Sequence, residues 1–163
     1  MVGDVEGFES AVQNACRVFG VENLFPEQFK ALKTFVSSTD VLLNLPTGFG
    51  KSLVFQMAPL VHTELSRGLN GFAANPIIIV ISPLVSLMDD QTNYLRKCGI
   101  STGSIGEDKV LDLKIEKGEC CVVFSLPESL LGNGRWRSIL SFDLYKKNLI
   151  GIVVDEAQCI SHW

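Results

Sequence analysis

The chain has no surplus of positive charge: 14 Lys and Arg stand against 18 Asp and Glu, a net charge of −4. A bulk positive field that could hold a polyanion by counterion release is therefore excluded, and any such contact must come from local geometry. Long apolar runs are also missing. The longest, Ile77 to Ile81 with its flanks, is far short of the roughly 18 to 20 residues that span a bilayer, so the expectation is a soluble protein with no membrane partner. The opening Met1-Val2-Gly3-Asp4-Val5-Glu6 carries acids where a secretory leader would be basic and then apolar, which implies an intracellular address. The five cysteines are an odd number and include no CxxC. A disulfide or zinc framework is not expected, and they read as small buried hydrophobes in a reducing compartment. No internal repeat, low-complexity tract or long linker interrupts the chain.

What is present suits one packed core. With 163 residues, 47% hydrophobic, one domain is the default. Apolar, β-branched runs recur at Val41 to Leu45, Ile77 to Ile81, Cys120 to Phe124 and Leu149 to Val154, with a shorter candidate at Thr102 to Ile105. Amphipathic stretches fall between them at Ser52 to Leu65, Leu84 to Lys97, Lys109 to Lys117 and Trp136 to Tyr145, and ahead of them at Phe8 to Phe19 and Glu27 to Val36. Strands alternating with helices predict an α/β fold, a mostly parallel sheet covered on both faces. Residues 68–75 and 132–134 read as surface loops by composition.

Chemistry is concentrated at two strand ends. Leu45-Pro46-Thr47-Gly48-Phe49-Gly50-Lys51-Ser52 follows one predicted strand directly and opens a helix. Gly48 and Gly50 allow backbone N–H groups to turn inward on phosphates, and the helix presents its positive end to them. In a loop of this kind Lys51 reaches the β- and γ-phosphates, and the Ser52 hydroxyl is a magnesium ligand candidate. The strict phosphate-loop pattern begins with Gly or Ala, whereas this chain has Leu45. At the other end, the apolar run Leu149 to Val154 passes straight into Asp155-Glu156. Such a step delivers one carboxylate to a metal and a second to an attacking water, so Asp155 is the metal candidate and Glu156 the water-polarising one. The plainer alternative is two acids capping the loop after a buried strand.

Asp155-Glu156-Ala157-Gln158 resembles the DEAD/DEAH-type motif II of superfamily 2 helicases, and its continuation Cys159-Ile160-Ser161-His162-Trp163 resembles that of RecQ-family DNA helicases. The stretch from Pro46 to Gln56 is similar to that family's motif I, and Ile81 to Gln91 to its motif Ia. Ser125 to Glu128 occupies the place of motif Ib, and Phe19-Gly20 through Gln28 that of motif 0. The resemblance implies a P-loop, RecA-like three-layer sandwich using ATP and Mg²⁺, with residues 1–36 carrying motif 0 and 37–163 forming the ATP-binding lobe. It implies that Gln28 reads adenine, that Pro46, Thr47, Gly48, Phe49, Gly50, Lys51 and Ser52 hold the phosphates, and that Lys51, Asp155 and Glu156 are catalytic. Single-stranded DNA would run over Ser82, Pro83, Leu84, Ser125, Pro127, Glu128 and Trp163. Backbone amides and hydroxyls at loop ends can grip its phosphates without a basic surface. The family acts in DNA repair and recombination, in nucleus or cytoplasm, on single strands and duplex junctions. It moves 3′ to 5′ and needs a second RecA-like lobe that these residues do not include. A stand-alone P-loop nucleotidase and a non-catalytic remnant are the alternatives.

Four positions depart from the family pattern. Val21 stands where an aromatic stacks on adenine, and Phe25 where an arginine is usual. Both losses imply weaker or less adenine-selective binding. Phe49 replaces a third glycine at the loop tip, and Gln158 replaces a histidine, keeping hydrogen bonding but not titration.

Overall fold

The computed structural model describes residues 5–162, without the side chains of 161 and 162. Two compact units divide at Ala74 and Asn75.

The first unit is helical. α1 (Phe8–Phe19) buries Phe8, Ala11, Val12, Ala15, Cys16 and Phe19, the three-and-four spacing of one helical stripe. α2 (Pro26–Val36) begins on a proline, whose missing N–H costs nothing in a first turn. α3 (Lys51–Ser66) buries every residue from Val54 to Pro59 and then Val61, His62 and Leu65. It is apolar nearly all round because α1 and α2 both pack on it.

The second unit carries the sheet. β1 (Ile77–Ile81), α4 (Val85–Lys97), β2 (Thr102–Ser104), α5 (Lys109–Glu116) and β3 (Val122–Ser125) come first. α6 (Pro127–Leu131), α7 (Gly134–Ile139), α8 (Asp143–Asn148), β4 (Leu149–Val154) and a 3₁₀ turn (Ala157–His162) follow. All pairings are parallel, in the order β2-β3-β1-β4. The α/β class and parallel sheet expected from the alternation are therefore present. β1 is buried along its whole length, as a central strand with helical crossovers requires. Its odd residues Ile77, Ile79 and Ile81 join Ile115, Val123, Leu130, Trp136, Ile139 and Tyr145 in one core cluster. β4 pairs only with β1 among the described strands, and Ile152 and Val154 remain exposed.

Two expectations need correction. Residues 41–45 form no strand, and Leu42 is 93% exposed. The run has strand composition, but a strand exists only where a neighbour supplies hydrogen bonds, and all four described strands belong to the second unit. The predicted helix Trp136 to Tyr145 is instead α7 and α8, separated at residues 140–142. On one continuous helix, nine residues would turn Trp136 and Tyr145 to opposite faces. The break, at which Phe142 adopts extended geometry, lets both side chains enter the same core.

Candidate nucleotide and strand-end sites

The phosphate loop lies in the first unit and keeps the backbone geometry its sequence requires. Gly48 and Gly50 have φ of 88° and 67°, values that a side chain makes costly. Gly50 is the N-cap of α3, and no side chain caps that helix. Its first N–H groups, with the positive end of the helix dipole, are therefore available to an anion. Phe49 N–H closes the loop on Pro46 O at 3.3 Å. Lys51, the first residue of α3, folds back so that its Nζ donates to Leu45 O at 3.0 Å. A phosphate would replace that neutral acceptor with a charged one, a stronger partner. Ser52 is half-buried beside it, while Pro46 and Thr47 are exposed.

Gln28 lies in the same unit, 3% exposed, at the third position of α2. Its Oε1 accepts from Phe25 N–H at 2.9 Å, the back-bond of a capping box. Its Nε2 donates to Phe49 O at 2.9 Å and Gly50 O at 3.0 Å. The Phe25 and Phe49 rings, the two aromatic departures noted above, meet at 5.9 Å between centroids. Neither the ring contact nor the Gln28 bridge to the loop was read from the sequence, because both cross from one helix terminus to a loop more than 20 positions away. The only local signal was Pro26 followed by Gln28, the pattern of a helix start.

In the second unit, the sheet brings several candidates to the C-terminal ends of neighbouring strands. Asp155 N–H donates to Ile81 O at 2.9 Å, and Ser82 N–H to Ser125 O at 3.0 Å. The Asp155 carboxylate is held at both oxygens: Oδ1 accepts from Glu156 N–H at 3.0 Å, and Oδ2 from Gln91 Nε2 at 3.2 Å. Gln91 is buried on α4, and although it ends the stretch similar to motif Ia, this contact with Asp155 was not expected. Glu156 has a φ of 52°, a left-handed conformation uncommon for a residue with a side chain, and its carboxylate accepts from the Gln158 amide. Among the described residues no three His, Cys, Asp or Glu side chains cluster. One carboxylate with phosphate and water completing the shell is a donor set that suits Mg²⁺.

The rim segments lie on the same strand ends. Ser82 and Ser125 are fully buried, and Ser125 Oγ donates to Leu126 O at 2.8 Å. Pro83 is half-buried, and Leu84, the N-cap of α4, is 52% exposed. Pro127 is buried as the first residue of α6, with Glu128 exposed beside it. Trp163 lies outside the described residues. No described helix is long and apolar enough to cross a membrane.

The pattern of the DEAD/DEAH box helicases matches residues 25–163. Among curated proteins, the chain is 33% identical over 154 residues to the ATP-dependent DNA helicase hus2/rqh1 of Schizosaccharomyces pombe, covering 89% of this chain and 11% of that protein. It is 30% identical over 168 residues to the ATP-dependent DNA helicase RecQ of Synechocystis, covering 99% of this chain and 31% of that protein. It is 32% identical over 150 residues to the ATP-dependent DNA helicase Q-like SIM of Arabidopsis thaliana, covering 89% and 16%. The chain thus spans a third or less of each of these relatives, and it belongs to the DEAD/DEAH box helicase family, with relatives of RecQ type.

Proposed function

We propose that these residues supply the ATP- and magnesium-binding part of a RecQ-type motor, which in the whole protein couples ATP hydrolysis to 3′ to 5′ DNA unwinding. The observation that carries the reading is the phosphate loop: two left-handed glycines running into an uncapped helix whose first residue is Lys51.

Mg²⁺, when bound, would supply charge neutralisation on the phosphates. In this reading Pro46, Thr47, Gly48, Phe49 and Gly50 shape the loop, Lys51 would pair with the β- and γ-phosphates, and Ser52 on the first unit and Asp155 on the second are each candidates to hold the metal. Gln91 keeps the Asp155 carboxylate turned by hydrogen bonding to it. Glu156, whose backbone is left-handed at a φ of 52°, polarises the attacking water. Ser82, Pro83, Leu84, Ser125, Pro127, Glu128 and Trp163 contribute to the track for DNA, single strands and duplex junctions alike, with the exposed Leu84 and Glu128 at its surface and the buried Ser82 and Ser125 beneath it. A second RecA-like lobe, outside these residues, supplies an arginine finger worth roughly 10³ to 10⁵ in rate in related phosphoryl transfer. Action in nucleus or cytoplasm, in repair and recombination, follows from the same reading.

Titration of the 163-residue chain with Mg-ATP tests the first part. Binding is expected, with slow turnover and no strand separation, and Lys51→Ala should weaken binding at least roughly tenfold through loss of a charged phosphate contact. In the whole protein, single-stranded DNA should stimulate hydrolysis, and Glu156→Gln should abolish that hydrolysis while sparing ATP binding. ATP binding unaffected by Lys51→Ala would rule out the loop as the phosphate site.

A further inference from the structure

We propose that Gln28 acts in this chain as a positioning residue of the phosphate loop, clasped there with Phe25 and Phe49, so that nucleotide is selected by its triphosphate rather than by its base. The proposal rests on the reading of residues 46–52 as a nucleotide site and extends it to specificity.

The first support is a hydrogen-bond inventory. A side-chain amide that reads adenine must donate one N–H and accept one, and Gln28 has two N–H donors. Both are directed at loop carbonyls, Phe49 O at 2.9 Å and Gly50 O at 3.0 Å, while its oxygen already accepts from Phe25 N–H at 2.9 Å. Reading a base would forfeit at least one loop bond. Phe49 and Gly50 are themselves exposed, so what a released carbonyl would cost is a tether between the buried Gln28 amide and the loop.

The second support is steric. A Cβ added at Gly50 would lie 2.8 Å from Gln28 Nε2, so the loop and the amide are fitted to each other at that point. The third is the pair of aromatic rings. Phe25 and Phe49 are 54% and 47% exposed, yet their centroids lie 5.9 Å apart at 47°, an attractive tilted contact between the start of α2 and the loop tip. The rings tie together the same two segments that Gln28 bridges underneath. Phe25 brings no cation to a base, and Val21 brings no ring. The groups that could discriminate bases are thus replaced or already engaged, while those that meet phosphate are held in place.

The test is calorimetric titration of the 163-residue chain with Mg-ATP, Mg-GTP and Mg-tripolyphosphate. Wild type should bind ATP and GTP within about threefold of each other and should bind tripolyphosphate measurably, since base contacts are absent. Gln28→Ala should weaken all three by a common factor of about ten, the effect of freeing a loop held by two hydrogen bonds. Phe25→Ala, at an exposed position that does not threaten folding, should weaken all three by a smaller common factor. Phe25→Tyr, which keeps the ring, should restore wild-type affinities. A purely structural role would lower the melting midpoint without this shared factor and without rescue by tyrosine. The proposal is overturned if Gln28→Ala weakens ATP tenfold while sparing GTP and tripolyphosphate, or if neither alanine variant changes any affinity. Failure of wild type to bind all three ligands would overturn the nucleotide-site reading itself, and this proposal with it.

Discussion

Residues 41–66 and 77–97 carry the same local pattern, an apolar β-branched run, a short turn and a helix, but they have different structures. The second is a strand buried end to end, with Ile78 and Val80 at 0% exposure, that leads into α4. The first keeps the turn and the helix but has no strand, and Leu42 is nearly fully exposed. The turns and helices form in both because their requirements are local: glycines at positive φ, or a first-turn position that tolerates few donors. The strand differs because its hydrogen bonds must come from another segment. β1 has β3 on one side and β4 on the other, whereas residues 41–45 have no ladder partner among the described residues.

Mutations can break this comparison, and the largest effect should come from the strand that forms. Ile79→Ala, in the core cluster at 1% exposure, should cost about 2–5 kcal/mol by chemical denaturation, from lost transfer free energy and a cavity. Leu42→Ala should change stability by no more than about 0.5 kcal/mol. Equal costs would mean that residues 41–45 are paired in solution, and the contrast would disappear.

Buried polar groups sharpen the comparison between units. In the first, neither ring nitrogen of His62 has a hydrogen-bond partner among the described atoms; its ring lies edge-on to Phe72, and burial lowers its pKa to about 4. The unfolded chain protonates near the ordinary value of about 6.5. The folded state, being neutral there, has its full stability above that pH, loses it between about 6.5 and 4, and loses no more below 4. The loss is at most about 3 kcal/mol by linkage. His62→Leu should flatten that window in a series of melting midpoints, and a slope unchanged by the substitution would assign it to other groups.

In the second unit Tyr145 is also buried, but its hydroxyl donates to Ile115 O at 2.6 Å. Tyr145→Phe should cost a smaller amount, about 1–2 kcal/mol, by leaving that carbonyl unpaired. A neutral substitution would show that water replaces the hydroxyl.

Much of the candidate site was legible as a pattern because its residues are local. Gly48, Gly50, Lys51 and Ser52 are adjacent in sequence, and Asp155 and Glu156 directly follow an apolar run whose strand forms over the residues expected. Periodicity likewise gave α1 and β1 their observed bounds. Gln91 on Asp155, Gln28 across to the loop and the Phe25–Phe49 contact were not legible, since each joins segments that no spacing rule connects.

The sequence alone therefore determined where the chain turns, which runs are apolar enough for an interior, and which residues are candidates for phosphate and metal. Those properties depend on backbone dihedrals and side-chain chemistry over a few consecutive residues. Tertiary structure decided which apolar run became a strand, where the helix between Trp136 and Tyr145 had to break, and what the Gln28 amide bonds to. Each of these depends on hydrogen-bond partners and core volume supplied from distant parts of the chain.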